Sequence, residues 1–170
     1  MPSTYDLIQT VTVSSNTTSG ITFSSIPQTY TDLVLVTNIA LNSAGQSLRY
    51  RINGYSGSNY FDRYFQGVTT TASVYANTTA VNLGFISDGG TPTTDLGTAI
   101  QITNFPSYTN TNGYKISFGK SGGNYGEEIS AGSLLYNFDA ITSITIYAND
   151  ATTGQINAGS ILSLYGIKAA

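Results

Sequence analysis

Nine carboxylates are the residues of this 170-residue chain with the most obvious capacity for chemistry, and they are Asp6, Asp32, Asp62, Asp88, Asp95, Glu127, Glu128, Asp139 and Asp150. A glycosidase would need two of them converging across a sugar, one with its proton affinity raised by burial. They are scattered one or two at a time, and nothing in the sequence gives a reason to expect a distant pair such as Asp62 with Glu127. Asp88-Gly89-Gly90 followed by Asp95 has the oxygen chemistry of a hard-cation loop but not the EF-hand spacing, and Asp-Gly is an ordinary turn dipeptide. Gly119-Lys120-Ser121 lacks the earlier glycine and the strand, loop and helix order of a phosphate loop. Histidine and cysteine are both absent, which removes nucleophilic triads, thiolate chemistry, imidazole metal ligands and disulfides. The expectation is a protein that is not an enzyme and has no cofactor or metal.

The densest run of recognition chemistry lies in residues 49–66. Arg49, Arg51, Tyr55, Tyr60, Phe61, Arg63, Tyr64 and Phe65 are the candidate interface residues. Tyrosine brings rigid amphipathic area and arginine a planar fork of donors, so both are enriched where proteins bury surface on binding. The same residue types suit sugars. The competing reading is a buried aromatic cluster with Asp62 and Arg63 solvated at its rim.

Composition points the same way, because only 9% of residues are charged, against roughly 25% in an average soluble domain. Polarity must come from Ser, Thr, Asn, Gln and Tyr, whose short or rigid side chains lose little freedom when a surface is covered. The formal charge of -3, with six Lys and Arg, provides no basic stripe for phosphates, so no nucleic-acid partner is expected. No apolar run approaches the roughly 20 residues that span a bilayer, and Met1-Pro2-Ser3-Thr4 does not open a secretory signal, so no membrane partner is expected either.

These residues must be positioned by strands. Thr, Tyr, Val and Ile recur in short runs separated by Gly, Asn and Ser, which predicts strands over 5–13, 20–24, 32–40, 46–53, 60–66, 80–87, 96–104, 113–120, 129–136, 142–148 and 160–168. Alternation predicts buried faces made of Leu48, Tyr50 and Ile52; of Val81, Leu83 and Phe85; of Tyr114, Ile116 and Phe118; and of Ile144 and Ile146. Leu33-Val34-Leu35-Val36 is apolar on both faces, as a central strand is. Many short strands and no helix predict an all-β protein, an antiparallel β-sandwich of jelly-roll type, occupying 1–170 as one domain.

Five stretches in order carry a family resemblance: MPSTYDLI at 1–8, ITFSSIPQTYTDLVLV at 21–36, RINGYSGSNYFDRYFQG at 51–67, ITSITIY at 141–147 and LYGIKAA at 164–170. Together they resemble the small β-sandwich virion structural proteins of tailed bacteriophages. The resemblance implies a capsid decoration or cement protein, made in the host bacterial cytoplasm and placed on the capsid exterior. It further implies a homotrimer whose other partner is the major capsid protein. Residues 67–80 and 91–96 follow no pattern of that family, and no active-site residue is implied. The alternative within the same resemblance is a tail or head-fibre module that binds host-surface glycans.

Overall fold

Each expected strand is realised, in twelve β-strands of a computed structural model that describes residues 4–41, 47–68, 71–76, 84–88, 99–122, 128–148 and 154–168. In chain order they are β1 (Tyr5–Thr12), β2 (Ile21–Phe23), β3 (Asp32–Ile39), β4 (Ser47–Ile52), β5 (Tyr60–Val68) and β6 (Thr71–Ala76). There follow β7 (Gly84–Asp88), β8 (Ala99–Phe105), β9 (Lys115–Gly122), β10 (Glu128–Leu135), β11 (Ile144–Ala148) and β12 (Ile161–Ile167). Only β6 has no counterpart among the sequence expectations. Thr69-Thr70, between it and β5, carries none of the Gly, Asn or Asp that mark a tight hairpin.

The strands form two antiparallel sheets that pack as a sandwich, one of eight strands in the order β1-β12-β3-β8-β9-β10-β5-β6 and one of four in the order β2-β11-β4-β7. With the hairpins β5–β6 and β9–β10 set aside, the other eight strands pair in nested fashion: β1 with β12, β2 with β11, β3 with β8 and β4 with β7. That is the pairing a long hairpin makes when rolled up. The two remaining hairpins join each other through β10 and β5 and lengthen the larger sheet beyond the roll.

The core fills the space between the sheets. Leu33 and Leu35 of β3, Leu162 and Leu164 of β12, and Ile144 and Ile146 of β11 are fully buried, each contributing about 1.5–3 kcal/mol of transfer free energy. Val34 is buried on the opposite face of β3, as expected of a strand flanked on both sides by β12 and β8. Leu48, Tyr50 and Ile52 enter the core as their alternation requires. Tyr50 locks the sheets together: its ring meets Tyr60 edge-on at 5.9 Å and Phe105 edge-on at 5.3 Å. It lies over Gly84, where a Cβ would stand 2.3 Å from the ring, so β7 needs glycine there.

Asn53 and Gly54 turn the chain out of β4 with positive φ of 50° and 71°, closed by Tyr55 N donating to Ile52 O at 2.9 Å. Asn53 Oδ1 then accepts from Thr142 N at 2.8 Å and Ser143 N at 3.1 Å, which ties this turn to the approach of β11.

One expected face needs correction, and the side chains of another lie outside the described residues. In β9 the inward residues are Lys115 and Ser117, 2% and 4% exposed, while Ile116 and Phe118 point outward at 45% and 52%, with Tyr114 exposed just before the strand. In β7 it is Ile86 that enters the core. Val81 and Leu83, and the side chain of Phe85, lie outside the described residues.

Candidate functional site

The inversion in β9 extends across the larger sheet. Inward positions of that sheet from β3 through β8, β9 and β10 to β5 include Thr37, Gln101, Thr103, Ser117, Ser133 and Asp62, all buried, whereas many of the outward positions are apolar. Strand register builds that outer face row by row. One row runs Phe61, Leu134, Ile116 across β5, β10 and β9. A second runs Arg63, Gly132, Phe118, Asn104, Val34, Tyr165, Leu7 from β5 to β1. A third contains Ile102 beside Val36, and Phe65 stands opposite Val74, which is 79% exposed on β6.

Three depressions cross this face. The first, of about 440 Å³, has Phe61, Ile116 and Leu134 as walls around Gly132. The second, of about 350 Å³, lies between Ile102 and Phe118. The third, of about 340 Å³, lies between Ile102 and Tyr165. Glycine at 132 leaves open the space that side chains enclose on either side. Arg63, Asn104, Lys120 and Ser130 interrupt the apolar side chains, and exposed apolar patches rimmed by polar residues mark sites of association.

The residues expected to make contacts are divided by the fold. Phe61, Arg63 and Phe65 lie on the outer face of β5 and are exposed. Tyr60 is wholly buried, its hydroxyl accepting from Ile52 N at 2.9 Å. Tyr64 is half-buried against Ala131. Arg51 belongs to the smaller sheet, its guanidinium 5.2 Å over the Tyr147 ring, and Arg49 reaches Asp62 at 3.4 Å. Tyr55 donates to the Asp139 carboxylate. Asp62, expected at a solvated rim, is instead buried and also accepts from Ser133 Oγ at 2.6 Å. Missed by the sequence reading were Ile102, Phe118 and Val74, whose strands alternate but give no sign of which face points out.

Asp62, Asp6, Asp32 and Asp139 act as structural acceptors. Asp62 serves Arg49 and Ser133, Asp6 pairs with Lys168, and Asp32 accepts from Ser107 N at 2.7 Å. Glu127 and Asp95 lie outside the described residues, so the pairings of each with Asp62 and Asp88 do too. Among the described residues no group of acidic side chains is gathered closely enough to hold a metal ion. Gly119-Lys120-Ser121 lies inside β9 and forms no phosphate loop. No described helix is long and apolar enough to cross a membrane. The chain matches no protein-family model and no curated protein.

Proposed function

We propose that the protein is a structural component of a tailed-phage virion, a capsid decoration or cement protein that docks on the outside of the shell as a trimer and stabilises it. The observation that carries this reading is the uncovered apolar face of the eight-stranded sheet, a surface suited to contact and not to catalysis. The nested order of eight strands supports the jelly-roll form of the sandwich. The resembling motifs fall mainly on that roll: 21–36 spans β2 and β3, and the closing LYGI lies in β12. The lengthened half of the sheet supplies Phe61, Ile116, Phe118 and Val74.

The physical mechanism is cross-linking. A subunit that buries about 800 Å² on each partner at the junction of shell proteins adds free energy opposing the outward pressure of packed DNA. Most of it would come from apolar area and little from ion pairs, so salt screening should weaken docking only slightly. Mixing purified protein with undecorated capsids and sedimenting them tests this. Co-sedimentation that persists at 1 M salt and a trimeric mass by light scattering are expected. Release by moderate salt, or no binding at all, would overturn the reading.

A further inference from the structure

The chain contains Asn-Gly twice, each time before a tyrosine, as Asn53-Gly54-Tyr55 and Asn112-Gly113-Tyr114. In this dipeptide the glycine nitrogen can approach the Cγ of the preceding side chain, since no Cβ on the glycine stands in its way. The fold holds the two copies very differently.

Asn53 is locked. Its Oδ1 accepts from Thr142 N at 2.8 Å, Thr142 Oγ1 at 3.2 Å and Ser143 N at 3.1 Å, and its Nδ2 donates to Ala140 O at 2.8 Å. Turning that carboxamide toward Gly54 would break all four contacts. Asn112 is exposed in the loop between β8 and β9, and its carboxamide has no hydrogen-bond partner among the described residues. Neither has the Gly113 N–H. The loop is held through other groups: Asn112 N donates to Asn110 Oδ1 at 2.7 Å, and the buried Lys115 ammonium donates to the carbonyls of Asn110 and Gly113.

We infer that Asn112 is a self-modification site, which deamidates in the folded protein through a succinimide formed with Gly113, whereas the fold protects Asn53. Hydroxide takes the Gly113 amide proton, and the nitrogen attacks Asn112 Cγ. The new N–C bond closes the succinimide ring, and the Cγ–Nδ2 bond breaks to release ammonia, protonated by water. A second water opens the ring at one carbonyl or the other, leaving aspartate or isoaspartate, and nothing is oxidised or reduced. The product carries one negative charge beyond the formal -3 of the parent chain. In the isoaspartate form the main chain also gains one atom between residues 112 and 113, just before the carbonyl that Lys115 holds.

Tandem mass spectrometry of folded protein kept for days in mildly alkaline buffer tests the inference. Trypsin, cutting after Arg51, Arg63 and Lys115, places the two asparagines in separate peptides. Acid should appear at residue 112 at least about ten-fold faster than at residue 53, because Asn53 reacts only from a locally opened state. In guanidinium chloride the contrast should shrink to within about three-fold, since both sites then present the same Asn-Gly-Tyr chemistry to water. The inference is overturned if residue 112 stays an amide in the folded protein, or if residue 53 keeps pace with it. It is equally overturned if the contrast persists undiminished in guanidinium chloride, since the difference would then lie in the flanking sequence and not in the fold.

Discussion

The Tyr50 hydroxyl of the smaller sheet meets Ser117 Oγ of the larger one at 2.8 Å, and this contact accounts for the inverted face of β9. A buried phenol deprived of partners costs about 1–3 kcal/mol, and the strands facing it present hydroxyls inward, Ser117 of β9 and Ser133 of β10. Period-two geometry then sends Ile116 and Phe118 to the outside. A core requirement of one sheet thus exposes the apolar face of the other.

Ser117→Ala should therefore lower stability by about 1–2 kcal/mol, and Tyr50→Phe by a similar amount. Combined, the two should cost less than their sum, because the double variant leaves neither hydroxyl stranded. Urea denaturation of the four proteins measures the coupling. Strict additivity would show that the contact contributes nothing.

Stability should fall in alkali because of Tyr60 and Tyr50. Burial pushes the Tyr60 phenol up to about 12, against the opposing Ile52 N–H that donates to it, and burial raises Tyr50 further still. In the unfolded chain both ionise near their ordinary value of about 10. Between those values the folded protein holds protons that the unfolded chain has released, so unfolding becomes easier as pH rises. The contribution is intact below about pH 10 and, for Tyr60, is gone above about 12. Denaturation midpoints from about pH 9 to about pH 11.5, a range that enters that window from below, should decline in the parent and decline less steeply in Tyr60→Phe.

Arg49, 24% exposed, and the buried Asp62 supply a second, part-buried polar contact between the sheets. Asp62 is held between its register partner Ser133, at 2.6 Å from Oδ1, and Arg49, at 3.4 Å from Oδ2. Arg49→Met takes a cation away from a buried carboxylate and should cost about 3 kcal/mol, well above the loss expected of an exposed ion pair. An unchanged thermal midpoint would mean that hydrogen bonds alone keep the carboxylate in place.

Strand positions were legible in the sequence because period and breakers are local signals. Leu48, Tyr50 and Ile52 were also legible as a buried face, since Arg49 and Arg51 alternate with them and must reach water. In β9 the alternation gave the period and not the direction, which is set by a tyrosine 67 residues earlier in another sheet. The candidate surface was legible in part for the same reason. Phe61, Arg63 and Phe65 stood out through the density of Tyr and Arg around them. Phe118 read as core, because apolar residues on a strand are assigned inward unless something polar already occupies that side, and Ile102 fell in an expected strand to which no buried face was assigned. Asp62 was misplaced because its partners Arg49 and Ser133 lie 13 and 71 residues away, on other strands.

Phe118 offers the sharpest test of the docking face. It is half exposed in the second row, with Gly132 on one side and Asn104 on the other, and it borders the depression shared with Ile102. Phe118→Glu removes only the half of the side chain that is covered in the free protein, so unfolding should become easier by no more than about 1 kcal/mol. In the docked state the same change forfeits about 2 kcal/mol of apolar burial and traps a carboxylate away from water, so capsid affinity should fall at least about 100-fold. Ile102→Glu should behave alike. Thr145, exposed enough on the smaller sheet to form a hydroxyl contact with Thr22 at 2.9 Å, is the control position: Thr145→Glu should leave docking unchanged. Binding curves from capsid co-sedimentation at matched salt compare the three. If Thr145→Glu abolished docking and Phe118→Glu did not, the shell would be gripped by the opposite side of the sandwich.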